Sequence, residues 1–137
     1  MLYIYGGSER QQQLAQSMTI FICKKYNIFP TIEISFKRLS QEESVGGCVE
    51  CDDNEYEIDI KRSLKQRPML VTLAHELMHV KQYELGELTQ NSQSHLPYWD
   101  RPCEKEAHGA EDALFDEWAR LNNFSELMLS FLLKIRC

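Results

Sequence analysis

His75-Glu76-Leu77-Met78-His79 is where this sequence concentrates groups able to do chemistry. On a helix, residues four apart lie about 40° apart round the axis and one turn apart along it. Two imidazoles so placed point at one spot and can share a zinc ion at about 2.0–2.1 Å. Glu76 lies about 100° round from His75. That is too far to share the ligand direction, yet close enough to reach a water bound to the metal. Two histidine ligands beside a carboxylate base are the parts of metal-assisted hydrolysis, with Glu76 as the general base. A shuffled chain of this composition would hold the pattern roughly 0.01 times, so two accidental surface histidines are the poorer explanation.

A catalytic zinc takes a third protein ligand and keeps one position open. The chain has 4 histidines, and the remaining two are His95 and His108. The segment Arg101-Pro-Cys-Glu-Lys-Glu-Ala-His108 supplies candidates. Glu104 and His108 stand four apart and share one side of a helix. Ala107 beside them is small enough to let a second helix approach closely. Glu104 is the preferred third ligand, with His108 hydrogen-bonding a ligand or a water from behind. His108 and His95 are the alternatives, and Glu104 would equally suit an ordinary first-turn acid favoured by the helix dipole. Glu106 points to a different side and is expected in solvent. Glu111 lies two turns beyond Glu104 and would either support the site or face water. The oxyanion of a hydrolytic transition state needs a donor besides the metal. Tyr98, Arg101, His95 and Tyr83 all qualify, while Tyr98-Trp99 would equally serve as a packed loop anchor.

The elements that must position these groups follow from periodicity. Leu2 to Tyr5 is a short apolar start ending at Gly6-Gly7, and Ser8 caps a helix running to about Tyr26, with Leu14, Met18, Ile22 and Tyr26 on its buried stripe. Pro30 stops the chain. Thr31 to Phe36 alternates as a strand does. Gly46-Gly47 opens an extended piece to Cys51, Asp52-Asp53-Asn54 is turn chemistry, and Tyr56 to Ile60 alternates again, which together predict a β-hairpin. Pro68 and Gly86 bracket the helix carrying His75 and His79, and Leu70, Leu73, Ala74, Leu77 and Val80 turn one side of it to the core. After a polar loop with Pro97 and Pro102, a third helix starts just before Cys103 and runs to about Leu121, with Ala107, Ala110, Leu114, Trp118 and Leu121 at helical spacing. Ser125 is read as the cap of a last helix bearing Leu127, Met128, Phe131, Leu132 and Ile135. This order makes a single α+β domain over residues 1–137.

With these residues in place, the chain resembles the zincin metallopeptidases, and within them a small gluzincin, in which His-Glu-x-x-His on one helix is completed by a glutamate on a later one. Glu104-Lys-Glu-Ala107-His108 matches the E-x-x-A-[D/H/N] pattern of several such families, so the resemblance implies Glu104 as the third ligand of one zinc ion beside His75 and His79. Between Thr31 and Leu121 the order of elements is similar to the minimal zincins related to ImmA/IrrE-type and SprT-like proteins. Those have a helix, a small sheet with an edge strand over the cleft, the motif helix and a further helix. The resemblance implies a zinc-dependent peptidase acting on a protein or peptide substrate, with Glu55 to Ile60 as the edge strand that pairs with an extended peptide. The acids Glu55, Glu57 and Asp59 would then favour basic substrates. A zinc-containing regulatory or protein-binding module with little turnover is the alternative, and a SprT-like DNA-associated protease a further one.

Composition bounds the rest. With 137 residues, 43% of them apolar and 26% charged, the chain is long enough to bury a core and is neither disordered nor fibrous. No run approaches the roughly 18 apolar residues of a membrane span, and no secretory signal is visible at the start. A net charge of −6 argues against general nucleic-acid binding. Eight acids without a Lys or Arg fill Glu42 to Asp59, and Lys61, Arg62, Lys65 and Arg67 follow. Both runs read as solvated faces, and the basic one is the sole local support for a DNA-associated reading. The 5 cysteines, Cys23, Cys48, Cys51, Cys103 and Cys137, are odd in number and irregularly spaced, which suits reduced thiols in a cytoplasm. Cys48-Val-Glu-Cys51 lacks the second pair a structural zinc needs and reads as two thiols near a hairpin turn.

Overall fold

The computed structural model describes residues 1–40, 45–89 and 92–136, with side chains as far as position 123. Strands β1 (Leu2–Tyr5), β2 (Thr31–Lys37), β3 (Gly46–Asp52) and β4 (Glu55–Lys61) form one mixed sheet in the order β1-β2-β4-β3. Helices α1 (Glu9–Tyr26), α2 (Gln66–Glu84) and α3 (Pro102–Arg136) complete an α+β architecture, with a short 3-10 turn at Tyr98–Asp100.

Ser8 caps α1 through its side chain, which accepts from the Gln11 amide while the Gln11 side chain reaches back to the Ser8 N–H. The helix ends at Asn27, whose φ of 55° is the left-handed cap conformation. Because α1 crosses from β1 to β2, those strands lie parallel. The predicted hairpin forms: β3 and β4 are antiparallel, and Asn54 turns the chain at φ 63°. β4 also lies parallel to β2, and the register pairs Ile32 with Tyr56, Ile34 with Ile58 and Phe36 with Ile60. These six side chains are all buried. The alternate residues Glu33, Glu55 and Glu57 are exposed, so the helices cover one face of the sheet and the other meets water.

The placement of β4 corrects one expectation. Glu55 to Ile60 is not an edge strand, because β4 is bonded on both sides, to β2 and to β3. Its Ile58 and Ile60 are fully buried, which suits an inner strand. The edge on the side of α2 is β3, whose alternation is weaker and whose outer residues Val49 and Cys51 are exposed.

α2 is the central helix. Leu70, Leu73, Ala74, Leu77 and Val80 are buried as the periodicity predicts, but so are Met69, Met78, His75, Glu76, His79, Lys81 and Gln82. It is therefore packed on more than one side, by the sheet and α1 and by α3. Ala107 is fully buried where α3 crosses it, consistent with a small residue permitting close approach.

A second correction concerns the C-terminal end. α3 is one continuous helix of 35 residues, with no break at Ser125. The stretch Ala119 to Glu126 holds no Gly or Pro. Asn122, a residue that often ends helices, instead donates to the Trp118 carbonyl one turn back, at 2.9 Å. The stripe Leu127 to Ile135 lies outside the described side chains, and Glu42, Glu43 and Cys137 lie outside the described residues.

Candidate functional site

α2 presents His75 and His79 toward α3, and the first turn of α3 brings Glu104 to both. His75 Nε2 lies 2.9 Å and His79 Nε2 3.0 Å from the same oxygen, Glu104 Oε1. Three donor atoms from two helices thus converge on one point.

The outer nitrogens are held as firmly. The Gln82 amide donates from Nε2 to the Cys103 carbonyl and to Glu106 Oε1, both at 2.9 Å. Its Oε1 is left to accept from His79 Nδ1, at 2.9 Å. His75 Nδ1 lies 2.8 Å from Glu111 Oε2, an acceptor when ionised. Both rings therefore carry a proton on Nδ1 and turn Nε2 inward, the orientation a metal ligand requires.

Charge follows this geometry. Burial is the largest influence and works to lower the pKa of both imidazoles, but the hydrogen bonds to Glu104 and to Glu111 or Gln82, together with the charges of Glu76 and Glu104, outweigh it and raise them above the usual histidine value. Burial opposes ionisation of Glu104 as well, yet its bonds to His75 and His79 hold the carboxyl well below the usual range. Without an ion between them, the three groups share protons as a charged cluster. Burial pushes the Glu76 carboxyl up, against the pull of His79 and His75. A buried carboxylate whose pKa is raised is a stronger proton acceptor than an ordinary one.

His108 stands on the far side of His75. Its ring centroid is 4.3 Å from that of His75, its Nδ1 is 3.5 Å from Glu111 Oε2, and its Nε2 is 2.9 Å from the Tyr98 hydroxyl. Trp99 packs on the same ring at 5.0 Å. Tyr98 and Trp99 are exposed and cover His108, so they are a wall of the site rather than an anchor in the core. His75, His108 and Glu111 also have ligand atoms within 4.8 Å of one another. That set uses the nitrogen of His75 facing away from His79. His108 does not join the pair His75 and His79, and His95 is exposed and belongs to neither group among the described residues.

Cys48 of β3, His79, Tyr83, Arg101, Cys103 and Glu104 border one cleft of about 200 Å³. Two of the oxyanion-donor candidates, Tyr83 and Arg101, thus share this cleft with His79 and Glu104. Tyr83 also packs on Tyr56 at 5.8 Å. Burial pushes the Cys48 thiol well above its ordinary value, helped by the Glu76 charge, and Cys51 is exposed. Neither belongs to a metal-competent group among the described residues.

Gln82 is not singled out by the sequence, while Glu106 is exposed as expected and still reaches two partners on α2. Glu106 accepts from Gln82 and from Lys81. Gln82 follows His79 by three positions and His75 by seven, so it lies on the ligand face of α2, the one signal that marks it.

No family model matches the chain, and neither does any curated protein or solved structure.

The donor set fits zinc. Two imidazole nitrogens and a carboxylate oxygen are ordinary zinc ligands, and tetrahedral bonds of about 2.0–2.1 Å would place donors about 3.3 Å apart. The observed 2.9 and 3.0 Å are shorter by a few tenths of an ångström, so an outward shift of the Glu104 carboxylate would admit an ion.

Proposed function

We propose that the chain is a zinc-dependent metallopeptidase of the zincin class, gluzincin type. His75, His79 and Glu104 hold one zinc ion, and Glu76 is the general base. The observation that carries this reading is the convergence of His75 Nε2, His79 Nε2 and Glu104 Oε1 on a single point beside a buried glutamate. Zinc held there would supply a Lewis acid that acidifies water and polarises a scissile carbonyl. Glu76 takes the proton of the attacking water and passes it to the leaving amine. Glu111 and Gln82 keep the two imidazoles in the required tautomer. The outer edge of β3 borders the cleft through Cys48, so an extended peptide would add to the sheet there by main-chain pairing. No helix among the described residues is long and apolar enough to cross a membrane, and the substrate is a protein or peptide.

The test is metal content by mass spectrometry for the wild type, His79→Ala, Glu104→Ala and His108→Ala, with cleavage of an unfolded protein compared between wild type and Glu76→Gln. About one zinc per chain is expected in the wild type and in His108→Ala, with strong loss in the other two. Glu76→Gln should keep its zinc and lose cleavage. Full zinc in Glu104→Ala with loss in His108→Ala would overturn the ligand set. Zinc binding with no cleavage by either protein would replace the peptidase by a metal-containing binding module.

A further inference from the structure

The cleft beside the histidine pair is unusual in charge for so acidic a chain. The whole protein carries −6. Among the described residues that line this cleft, Glu104 is the only acid, and Arg101 is the only one with a permanent positive charge. The rest is neutral, including Thr89, Ser92 and Gln93. In the proposed function Glu104 is engaged by the metal and does not serve as a partner for Arg101.

Arg101 is also held for binding. It is half-buried, and its Nε donates to the Leu96 carbonyl at 3.0 Å. That bond fixes the plane of the guanidinium and leaves the terminal nitrogens to other acceptors. No carboxylate of the described residues lies within salt-bridge distance of it. The residue stands just before α3, whose first turn borders the same space, and the positive end of that helix dipole adds to the potential. Gln93 ties the two sides together, its Oε1 accepting from the Cys103 N–H at 3.0 Å.

We infer that Arg101 is a substrate-anchoring residue, and that the cleft between it and His79 receives a carboxylate of the peptide, from either a free C-terminus or an Asp or Glu side chain. A planar guanidinium with free terminal nitrogens suits bidentate pairing with a carboxylate. In a partly desolvated cleft such a charged pair discriminates well against a neutral analogue. The inference rests on the peptidase reading for its biological meaning. It concerns a residue that is not a metal ligand, so it is tested by binding alone.

Four acetylated tripeptides serve as probes in calorimetric titrations. One pair is tri-alanine with a free acid or an amide terminus. The other carries an amide terminus with Asp or Asn at the middle position. Each is titrated into zinc-loaded Glu76→Gln, which binds without turnover, into the metal-free chain, and into both of these with Arg101→Met and Arg101→Lys. The expected result is at least one carboxylate peptide binding about tenfold tighter than its neutral partner. That preference should vanish in Arg101→Met and survive in part in Arg101→Lys. Preference within the first pair identifies a terminal carboxylate, and within the second an acidic side chain. Equal affinity within both pairs, no binding of any probe, or a preference that persists in Arg101→Met overturns the inference. A preference that needs Arg101, in a chain that neither binds zinc nor cleaves protein, would sustain the anchor and refute the peptidase. Cleavage without preference would do the reverse.

Discussion

His75 bridges two carboxylates: its Nδ1 lies 2.8 Å from Glu111 Oε2 and its Nε2 2.9 Å from Glu104 Oε1. His79 shares the inner partner but has a neutral amide, Gln82, behind it. The two ligand imidazoles are therefore unequal. An anionic acceptor makes His75 the stronger donor of the pair, because it stabilises positive charge building on the ring.

Glu111→Gln tests this inequality. The substitution keeps the shape and an acceptor oxygen while removing the charge. Zinc affinity, measured by competition with a chromophoric chelator, should fall about tenfold. Glu111→Asp, with the charge retained on a shorter arm, should recover part of it. Unchanged affinity in Glu111→Gln would mean that His75 does not need the charge behind it. A stoichiometry near two zinc ions in the wild type, dropping to one in Glu111→Gln, would instead make His75, His108 and Glu111 a metal position in its own right.

The proton cluster gives opposite pH dependences to the stability of the metal-free protein and to the gain on adding zinc. His75 and His79 are raised from an ordinary value of 6.5, so their stabilisation is complete below it and is lost as pH rises through the raised folded value. Glu104 is lowered from 4.5, so its stabilisation is present above 4.5 and is lost as pH falls below it. These three groups should make the metal-free protein most stable between about 4.5 and 6.5, with melting temperature lost at higher pH. Zinc must displace the protons shared by the imidazoles, so the gain in melting temperature on adding zinc should grow with pH over the same range. Thermal scans with and without chelator check both. A zinc effect independent of pH from 5.5 to 8 would exclude the histidines as its ligands.

Gln82 is expected to matter more than its lack of charge suggests. It is 2% exposed, and its amide joins His79, Glu106 and the Cys103 carbonyl. Gln82→Leu leaves His79 Nδ1 and the Cys103 carbonyl without this partner in a buried setting. The cost should be about 1–3 kcal/mol in chemical denaturation, with weaker zinc binding because the His79 ring is free to turn. Gln82→Glu keeps the acceptor for His79 but puts a second carboxylate against Glu106, so zinc binding should survive better than stability. Equal losses in both variants would make Gln82 a packing residue only.

The motif spacing alone carried much of this site. His75 and His79 do meet, because four-residue spacing is a rigid property of helices, and Glu104, marked by its place on the following helix and by the resembled pattern, does reach them. The hairpin and the cap at Ser8 were legible for the same reason, being local. What failed depended on distant partners. The middle position of β4 is set by its parallel pairing with β2, which no local pattern reports. The break expected in α3 rested on Ser125, a residue type that often caps helices, while the helix runs through that position.

Gly46 supplies a prediction on the sheet edge that is separate from the metal. A Cβ built there would lie 2.8 Å from Thr72 Cγ2 of α2 and 3.0 Å from the Asp59 carbonyl of β4. The threonine methyl sits on a stiff, branched side chain and the carbonyl is backbone, so neither can withdraw cheaply. β3 reaches α2 so closely only because this residue has no side chain. Gly46→Ala must push the edge strand away from α2, at a cost of about 1–3 kcal/mol. Gly47, next along the strand, has nothing within 4 Å of a built Cβ, so Gly47→Ala is the matched control and should change stability by less than about 0.5 kcal/mol. The comparison also separates edge from site. Displacing β3 moves Cys48 and the cleft border but none of the three metal donors, so Gly46→Ala should lose peptide binding while keeping its zinc affinity. Equal stability of the two variants would show that β3 is not pinned to α2. Loss of zinc along with peptide binding would show that edge strand and metal donors form one mechanical unit.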